Sequence, residues 1–174
     1  MSRSPRVLLE TARLTLRYIT PYDAPFMLEV LNEPSFKRNI GDRQVRTVEQ
    51  ARDYLLERII PSYEKNGYGL YVVELKETGT PVGICTLFKR ENLAHPDIGF
   101  AFFERFWRQG YAFESATAVM NYARDILSFT DIYAIVSPGN TTSIKLLEKL
   151  GLRFDCMVKM PADNHEIQLF SLKF

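Results

Sequence analysis

The 174-residue chain has little of several things, and each shortage narrows what it can be. It has two cysteines, Cys85 and Cys156, both in apolar stretches and at a spacing that suits neither a metal site nor a redox pair. Both are expected to be buried, free thiols in a reducing compartment. It has no excess of either charge. With 22 basic against 21 acidic residues, no overall field draws in nucleic acid or an anionic membrane. Any recognition of phosphate must therefore be local. No apolar run approaches the ~20 residues needed to cross a bilayer, and Val7-Leu8-Leu9 is too short for the core of a signal peptide. The expected location is cytoplasmic, with no nucleic acid, no membrane and no metal among the partners. Internal repeats, low-complexity tracts and interdomain linkers are absent as well.

The remaining composition is that of a globular chain: 46% hydrophobic, 25% charged and 13% aromatic residues. At this length roughly two thirds of the unfolded surface can be buried, enough for one unstapled domain. Residues 11–174 are expected to form it, with residues 1–10 as an N-terminal extension. Arg13 to Ile19 alternates apolar and polar residues, as a strand does. Thr20-Pro21 suits a helix start, with Phe26, Met27, Val30 and Leu31 facing the core up to Pro34. Ser35 to Arg46 reads as a loop holding at most a short helical turn. Thr47-Val48-Glu49-Gln50 is a capping box opening a second helix that stops near Pro61.

Tyr68–Leu75 and Pro81–Phe88 form a hairpin across residues 76–80. Asp97–Phe103 is a further strand, with Ile98, Phe100 and Phe102 on one face and the small Gly99 and Ala101 on the other. Helical spacing then covers Tyr111 to Ser128, followed by a strand, Asp131–Val136. A helix spans Thr141–Leu150 and ends at Gly151. Two last strands, Leu152–Lys159 and His165–Lys173, flank the turn at residues 161–164. The order β-α-α-β-β-β-α-β-α-β-β gives an α/β (α+β) domain: one mixed, largely antiparallel sheet flanked by helices.

Chemistry concentrates between the strand ending at Phe103 and the helix starting at Tyr111. A glycine-ended loop at a helix start presents unpaired N–H groups whose dipoles sum to a partial positive charge. Gly110 removes the Cβ that would block an anion, and Ala112 keeps the first turn slim. Each such contact contributes about 0.3–1 kcal/mol when exposed and up to ~2 kcal/mol when partly buried. This physics points to a phosphate and to nothing more specific. The P-loop and dinucleotide-binding glycine patterns are both absent.

Arg108-Gln109-Gly110-Tyr111-Ala112-Phe113-Glu114-Ser115-Ala116, preceded by Trp107, resembles the pyrophosphate loop and helix start of the GNAT N-acetyltransferases. The nearest branch is that of the ribosomal-protein N-terminal acetyltransferases. Thr11-Ala12-Arg13-Leu14-Thr15-Leu16-Arg17 resembles that branch's opening strand, and Asp97-Ile98-Gly99-Phe100 its fourth strand. Asn140-Thr141-Thr142-Ser143 with Glu148-Lys149-Leu150-Gly151-Leu152 resembles the segment where Asn and Ser approach the cofactor. The resemblance runs from about Thr11 to Phe174. It departs at Arg108, where glycine is usual. That side chain can contact phosphate directly or project into solvent.

The resemblance implies the GNAT acyl-CoA N-acyltransferase fold and an acetyl-CoA-dependent N-acetyltransferase in which an amine attacks the thioester directly. Phe102, Phe103, Arg108, Gln109, Gly110, Tyr111, Ala112, Asn140 and Ser143 would then bind coenzyme A. A strand N–H near residues 101–103 would receive the oxyanion. Many relatives place a tyrosine seven residues after the asparagine to protonate the thiolate; here that position is Leu147, leaving Ser143 as the nearest donor. Ser143 and Asn140 are alternatively helix-capping residues. Asp97 and His95 are candidate bases, or else a surface carboxylate and a loop residue. Glu114 is read as a helix-dipole partner.

An α-amine of pKa ~7.8 is roughly 15% neutral at pH 7, whereas a lysine is neutral to about one part in a few thousand, so an α-amine needs little help from a base. The expected acceptor is a protein or peptide N-terminal α-amine. The alternatives are a small-molecule amine, or a degenerate domain that senses acyl-CoA without turnover. The basic residues Lys37, Arg38, Arg43 and Arg46 either form a solvated face or line the acceptor side. The oligomeric state is left open between monomer and homodimer.

Overall fold

The strand-forming stretches assemble into one sheet whose central strands supply an apolar layer to each face, while the outermost are largely exposed. A computed structural model describes residues 5–161 and 165–174. Its strands are β1 (Val7–Glu10), β2 (Leu14–Tyr18), β3 (Leu70–Leu75), β4 (Pro81–Phe88), β5 (Asp97–Phe102), β6 (Asp131–Val136), β7 (Arg153–Lys159) and β8 (Glu166–Lys173). They lie in the order β1-β2-β3-β4-β5-β6-β8-β7. Among the described residues every neighbouring pair is antiparallel except β5 with β6. The mixed, largely antiparallel sheet expected from the sequence is the one observed.

Helices α1 (Ala24–Asn32), α2 (Pro34–Asn39), α3 (Val48–Tyr54) and α4 (Pro61–Asn66) precede β3, α5 (Tyr111–Asp125) links β5 to β6, and α6 (Thr141–Lys149) follows β6. Strand alternation divides the core in two. Tyr71, Val73, Cys85, Leu87, Ile98 and Phe102 face Ala116, Val119 and Ala123 of α5 and Leu147 of α6. Leu70, Val72 and Ile84 face Met27, Val30 and Leu31 of α1, Phe36 of α2 and Ala51 of α3. β5 divides as its pattern predicts, with Ala101 packed on the α1–α3 side.

The structure corrects several local expectations. Val7–Glu10, placed ahead of the domain, is an edge strand paired with β2. Residues 35–46 are loop from residue 40 onward but begin with more than a single turn of helix, since Pro34–Asn39 is helical with a proline at its first position. Thr20 stands at a helical start as expected, with its N–H and hydroxyl both donating to Asp23 Oδ2. A 3₁₀ turn, Pro21–Asp23, then precedes α1. The capping box at Thr47 is half formed: its side chain accepts from the Gln50 N–H, while Gln50 Oε1 reaches the Arg46 N–H. The second helix runs on past residue 54 through a π-helical turn, Leu55–Ile59, and Pro61 starts α4 rather than ending the segment. Cys85 is buried as expected, but Cys156 is exposed, because β7 is the outer strand of the sheet and is exposed along most of its length. The expected turn at residues 161–164 lies mostly outside the described residues. Among the described residues, no helix is long and apolar enough to cross a membrane.

Candidate active site

The parallel pair β5/β6 shares a single register point, Asp97 opposite Tyr133, with the Tyr133 N–H donating to the Pro96 carbonyl at 2.9 Å. Beyond that point the strands part. On its other side β5 is paired with β4 throughout, from Asp97 opposite Phe88 to Phe102 opposite Gly83. Phe103 continues this ladder, its N–H donating to the Val82 carbonyl at 3.2 Å. The alternation of an antiparallel ladder therefore turns the N–H and C=O of Phe100 and Phe102 toward β6. The Phe102 carbonyl is taken by the Trp107 indole N–H at 2.8 Å. The Phe103 amide, one of the expected oxyanion donors, is committed within the sheet. The amides of Phe100 and Phe102 face the opening instead.

At the mouth of this opening the chain turns from β5 into α5. Arg108 and Gly110 both adopt left-handed backbone, at φ 62° and 81°. Glycine takes this conformation readily and arginine does so at a cost, so the loop is held in shape by its surroundings. The N–H groups of Arg108, Gln109, Gly110, Tyr111, Ala112 and Phe113 have no acceptor among the described residues; Glu114 is the first to bond back, to the Gly110 carbonyl at 3.0 Å. Six consecutive N–H groups without an acceptor among the described residues, at the start of a 15-residue helix, are an arrangement that can receive an anion.

The opposite side of the loop is held by Arg13 and Glu114. Glu114 Oε1 accepts from Thr11 Oγ1 at 2.7 Å and from the Arg13 N–H at 2.9 Å, and Oε2 accepts from Arg13 Nε at 2.7 Å. Partial burial works to raise the Glu114 pKa, but these hydrogen bonds outweigh it and hold the carboxyl below the ordinary glutamate value. Glu114 thus does more than complement a helix dipole: it ties α5 to the β1–β2 connection. The sequence gives no sign of this, because the partners lie 101 or more residues apart.

Asp97 is 2% exposed, so it is not a surface carboxylate. Arg90 Nε donates to its Oδ1 at 2.8 Å. Burial pushes its carboxyl above the usual carboxylate range, and Arg90 pulls only part of the way back. His95 stands edge-on to the Tyr133 ring, with centroids 5.2 Å apart, and its Nε2 is 4.0 Å from Asp131. At the end of β6, Asn140 Oδ1 accepts from the Ser143 N–H at 3.3 Å, so Asn140 caps α6. Ser143 is not the cap, and its hydroxyl has no partner among the described residues. Leu147 is 2% exposed and belongs to the core under α5. Of the basic residues Lys37, Arg38, Arg43 and Arg46, two are paired: Arg46 forms a two-point ion pair with Asp42, and Arg38 lies 3.9 Å from Glu104. The Arg46 guanidinium holds the Asp42 carboxyl down at about 2.

This geometry agrees with the comparisons to known proteins. The family model for the acetyltransferase (GNAT) domain matches residues 13–153. The chain belongs to the GNAT acetyltransferase family. It is 30% identical over 148 residues to the uncharacterized N-acetyltransferase YoaA of Bacillus subtilis, covering 84% of this chain and 82% of that protein. It is 34% identical over 99 residues to the uncharacterized protein YkkB of the same organism, covering 55% of this chain and 58% of the other. In fold it is similar to RimL, the ribosomal L7/L12 alpha-N-protein acetyltransferase solved in complex with coenzyme A, with TM-score 0.82, 16% identity and coverage of 97% and 98%. The chain is therefore a GNAT-family N-acetyltransferase.

Two outcomes follow from the site. Leu147→Tyr does not install an acid in the opening. It overpacks the core, lowering stability by about 1–3 kcal/mol, measured by chemical denaturation, with no gain in turnover. For Glu114 the folded pKa lies below the unfolded 4.5, so its stabilisation is present above that value and lost as pH falls through the folded one. The melting-temperature gap between wild type and Glu114→Gln is expected at neutral pH and to shrink as pH is lowered below about 4.5.

Proposed function

We propose that the chain transfers the acetyl group of acetyl-CoA to a primary amine, and that the preferred acceptor is the α-amine of a protein or peptide. Two features support coenzyme A as the donor's carrier. The six free amides of residues 108–113 suit a diphosphate, and the unpaired edge at Phe100 and Phe102 suits an extended chain of amides laid along β5. Arg108, Gln109, Gly110, Tyr111 and Ala112 are assigned to the pyrophosphate. Phe102 is assigned to the pantetheine arm through its N–H. Phe103 is kept as a lining residue, since its own N–H is bonded to Val82.

The observation that carries the acceptor class is the state of the carboxylates. Glu114 is held by three donors, and Asp97 is buried against Arg90. Neither is a free base able to strip a proton from a lysine-like ammonium. An α-amine, roughly 15% neutral at pH 7, does not demand one. In this reading the amine nitrogen attacks the thioester carbonyl, the developing oxyanion meets a β5 amide, and the C–S bond breaks as the nitrogen loses its proton. Ser143, at the start of α6 and with no partner for its hydroxyl among the described residues, hydrogen-bonds the departing thiolate. Asn140 orients that end of α6. Once the nitrogen has attacked, its extra proton is far more acidic than that of a free ammonium, and Asp97, with its raised pKa, is the group assigned to take it, a role in which general-base catalysis contributes typically 10²–10⁴-fold. RimL, whose fold is shared, is an acetyltransferase of a ribosomal protein's α-amine, which favours a protein terminus over a small amine.

Thiol release is measured against N-terminal peptides, ε-amino peptides and small amines, with acetyl-CoA as donor. Turnover confined to α-amine peptides is expected. A preference for small amines would overturn the acceptor assignment, and tight coenzyme A binding without thiol release on any acceptor would mark a sensor. Gly110→Trp is expected to abolish coenzyme A binding in calorimetry while the circular dichroism spectrum is kept. Ser143→Ala is expected to lower kcat by tenfold or more with less than a threefold change in coenzyme A affinity.

A further inference from the structure

This inference rests on the reading of residues 108–113 as the pyrophosphate loop. We propose that Arg13, from the connection between β1 and β2, is a positioning residue that aims this loop's amides at the phosphates, and that Glu114 is what holds Arg13 in place.

The geometry runs through the two peptide planes that flank Gly110. Arg13 Nη1 donates to the Gln109 carbonyl at 2.8 Å. The Gly110 carbonyl accepts from the Glu114 N–H at 3.0 Å. A trans peptide is planar, with its C=O and N–H pointing in opposite directions, and the described residues contain no cis bond. Fixing the Gln109 carbonyl therefore sets the direction of the Gly110 N–H, and fixing the Gly110 carbonyl sets that of Tyr111. Both donors are turned away from Arg13 and Glu114, toward the side where residues 108–113 have no protein acceptor. Glu114 governs both planes, one through its backbone and the other through the Arg13 side chain.

Arginine suits this task. Its planar fork meets two acceptors from fixed directions, Nε on Glu114 Oε2 at 2.7 Å and Nη1 on Gln109. The guanidinium also lies over the Tyr111 ring, 4.7 Å from its centroid, next to the donors being aimed. It sits close enough to Gly110 that a Cβ there would lie 3.2 Å from Nη2. These are more contacts than a side chain 49% exposed needs for a merely structural tie.

Glu114 supplies the decisive test. It is an anion beside an anion-binding loop, so plain electrostatics predicts that neutralising it strengthens coenzyme A binding. The positioning role predicts the reverse. Calorimetry on the full chain compares wild type, Arg13→Ala, Arg13→Lys and Glu114→Gln with coenzyme A, and steady-state kinetics compares acetyl-CoA with S-acetylpantetheine, which has the thioester but no pyrophosphate. Expected are a tenfold or greater rise in Kd for coenzyme A in Arg13→Ala, partial recovery in Arg13→Lys, and at least a threefold rise in Glu114→Gln. The KM for S-acetylpantetheine should move less than twofold in every variant. Unchanged or tighter coenzyme A binding in Glu114→Gln would overturn the proposal, as would equal losses for both donors, which would mean general loosening of the fold. If Arg13→Ala does not fold, Glu114→Gln and Arg13→Lys decide alone. A wild-type chain that bound no coenzyme A would overturn the pyrophosphate reading itself, a result visible before any variant is made.

Discussion

The site depends on one constraint: β5 and β6 are parallel neighbours that stay paired at only one register point. Antiparallel neighbours elsewhere in the sheet satisfy their backbone groups along their length. Parallel strands need a crossover, here α5, and the loops after β5 and β6 both emerge at the carboxyl ends where the strands have parted. Ligands of open sheets that contain parallel strands collect at such crevices. In this chain the crevice combines an unpaired strand edge with the amino end of α5. A sheet that zipped β5 to β6 throughout would hold together better by itself and would leave nothing for a ligand to complete.

Keeping that crevice open requires that its walls be braced from outside it. On the α1 side, the Glu104 N–H donates to Glu33 Oε1 at 3.1 Å, and Arg105 pairs with Glu29 at 3.0 Å while lying over the Phe103 ring. Ser137, just past β6, donates to the Asn39 carbonyl at the end of α2 at 3.1 Å. The α1 layer is itself fixed to the sheet by Arg17, which is 7% exposed and joins Asp23 to Glu74. A buried pair of this kind is weak evidence for stability as such. Its effect is to fix where α1 starts, and through Glu29 and Glu33 that position reaches the loop after β5.

How far this was legible in the sequence depends on whether the relevant interaction is local. β4 and β6 match their expected limits because turn residues bound clear apolar runs. The ends of α6 were equally readable: Asn140 and Gly151, at φ 97°, are local signals. The glycine-ended turn into α5 was legible as well, since a glycine before helical spacing is a contiguous pattern. Three features were not. The clasp of Thr11 and Arg13 on Glu114 joins two motifs that resemble a family separately but show no sign of touching. The burial of Asp97 depends on Arg90 from the preceding loop closing over it. The exposure of Cys156 follows from the strand order β6-β8-β7, and nothing near residue 156 records which strand is outermost.

The carboxylates of Glu114 and Asp97 illustrate how one fold places the same chemical group in opposite environments. Glu114 is partly solvated and receives three hydrogen bonds, so it is pinned as an anion and its pKa falls. Asp97 is buried with one arginine for company, so its charged form is disfavoured and its pKa rises. A group pinned as an anion can orient neighbours but gives up little when a proton approaches. A carboxylate with a raised pKa is closer to the pH at which it must accept a proton, which is where a general base works best. Divergent environments of this kind separate structural from chemical duty. By that criterion Glu114 belongs with the machinery that shapes the phosphate loop. Asp97, on the reading proposed above, is the group that takes the proton the amine loses.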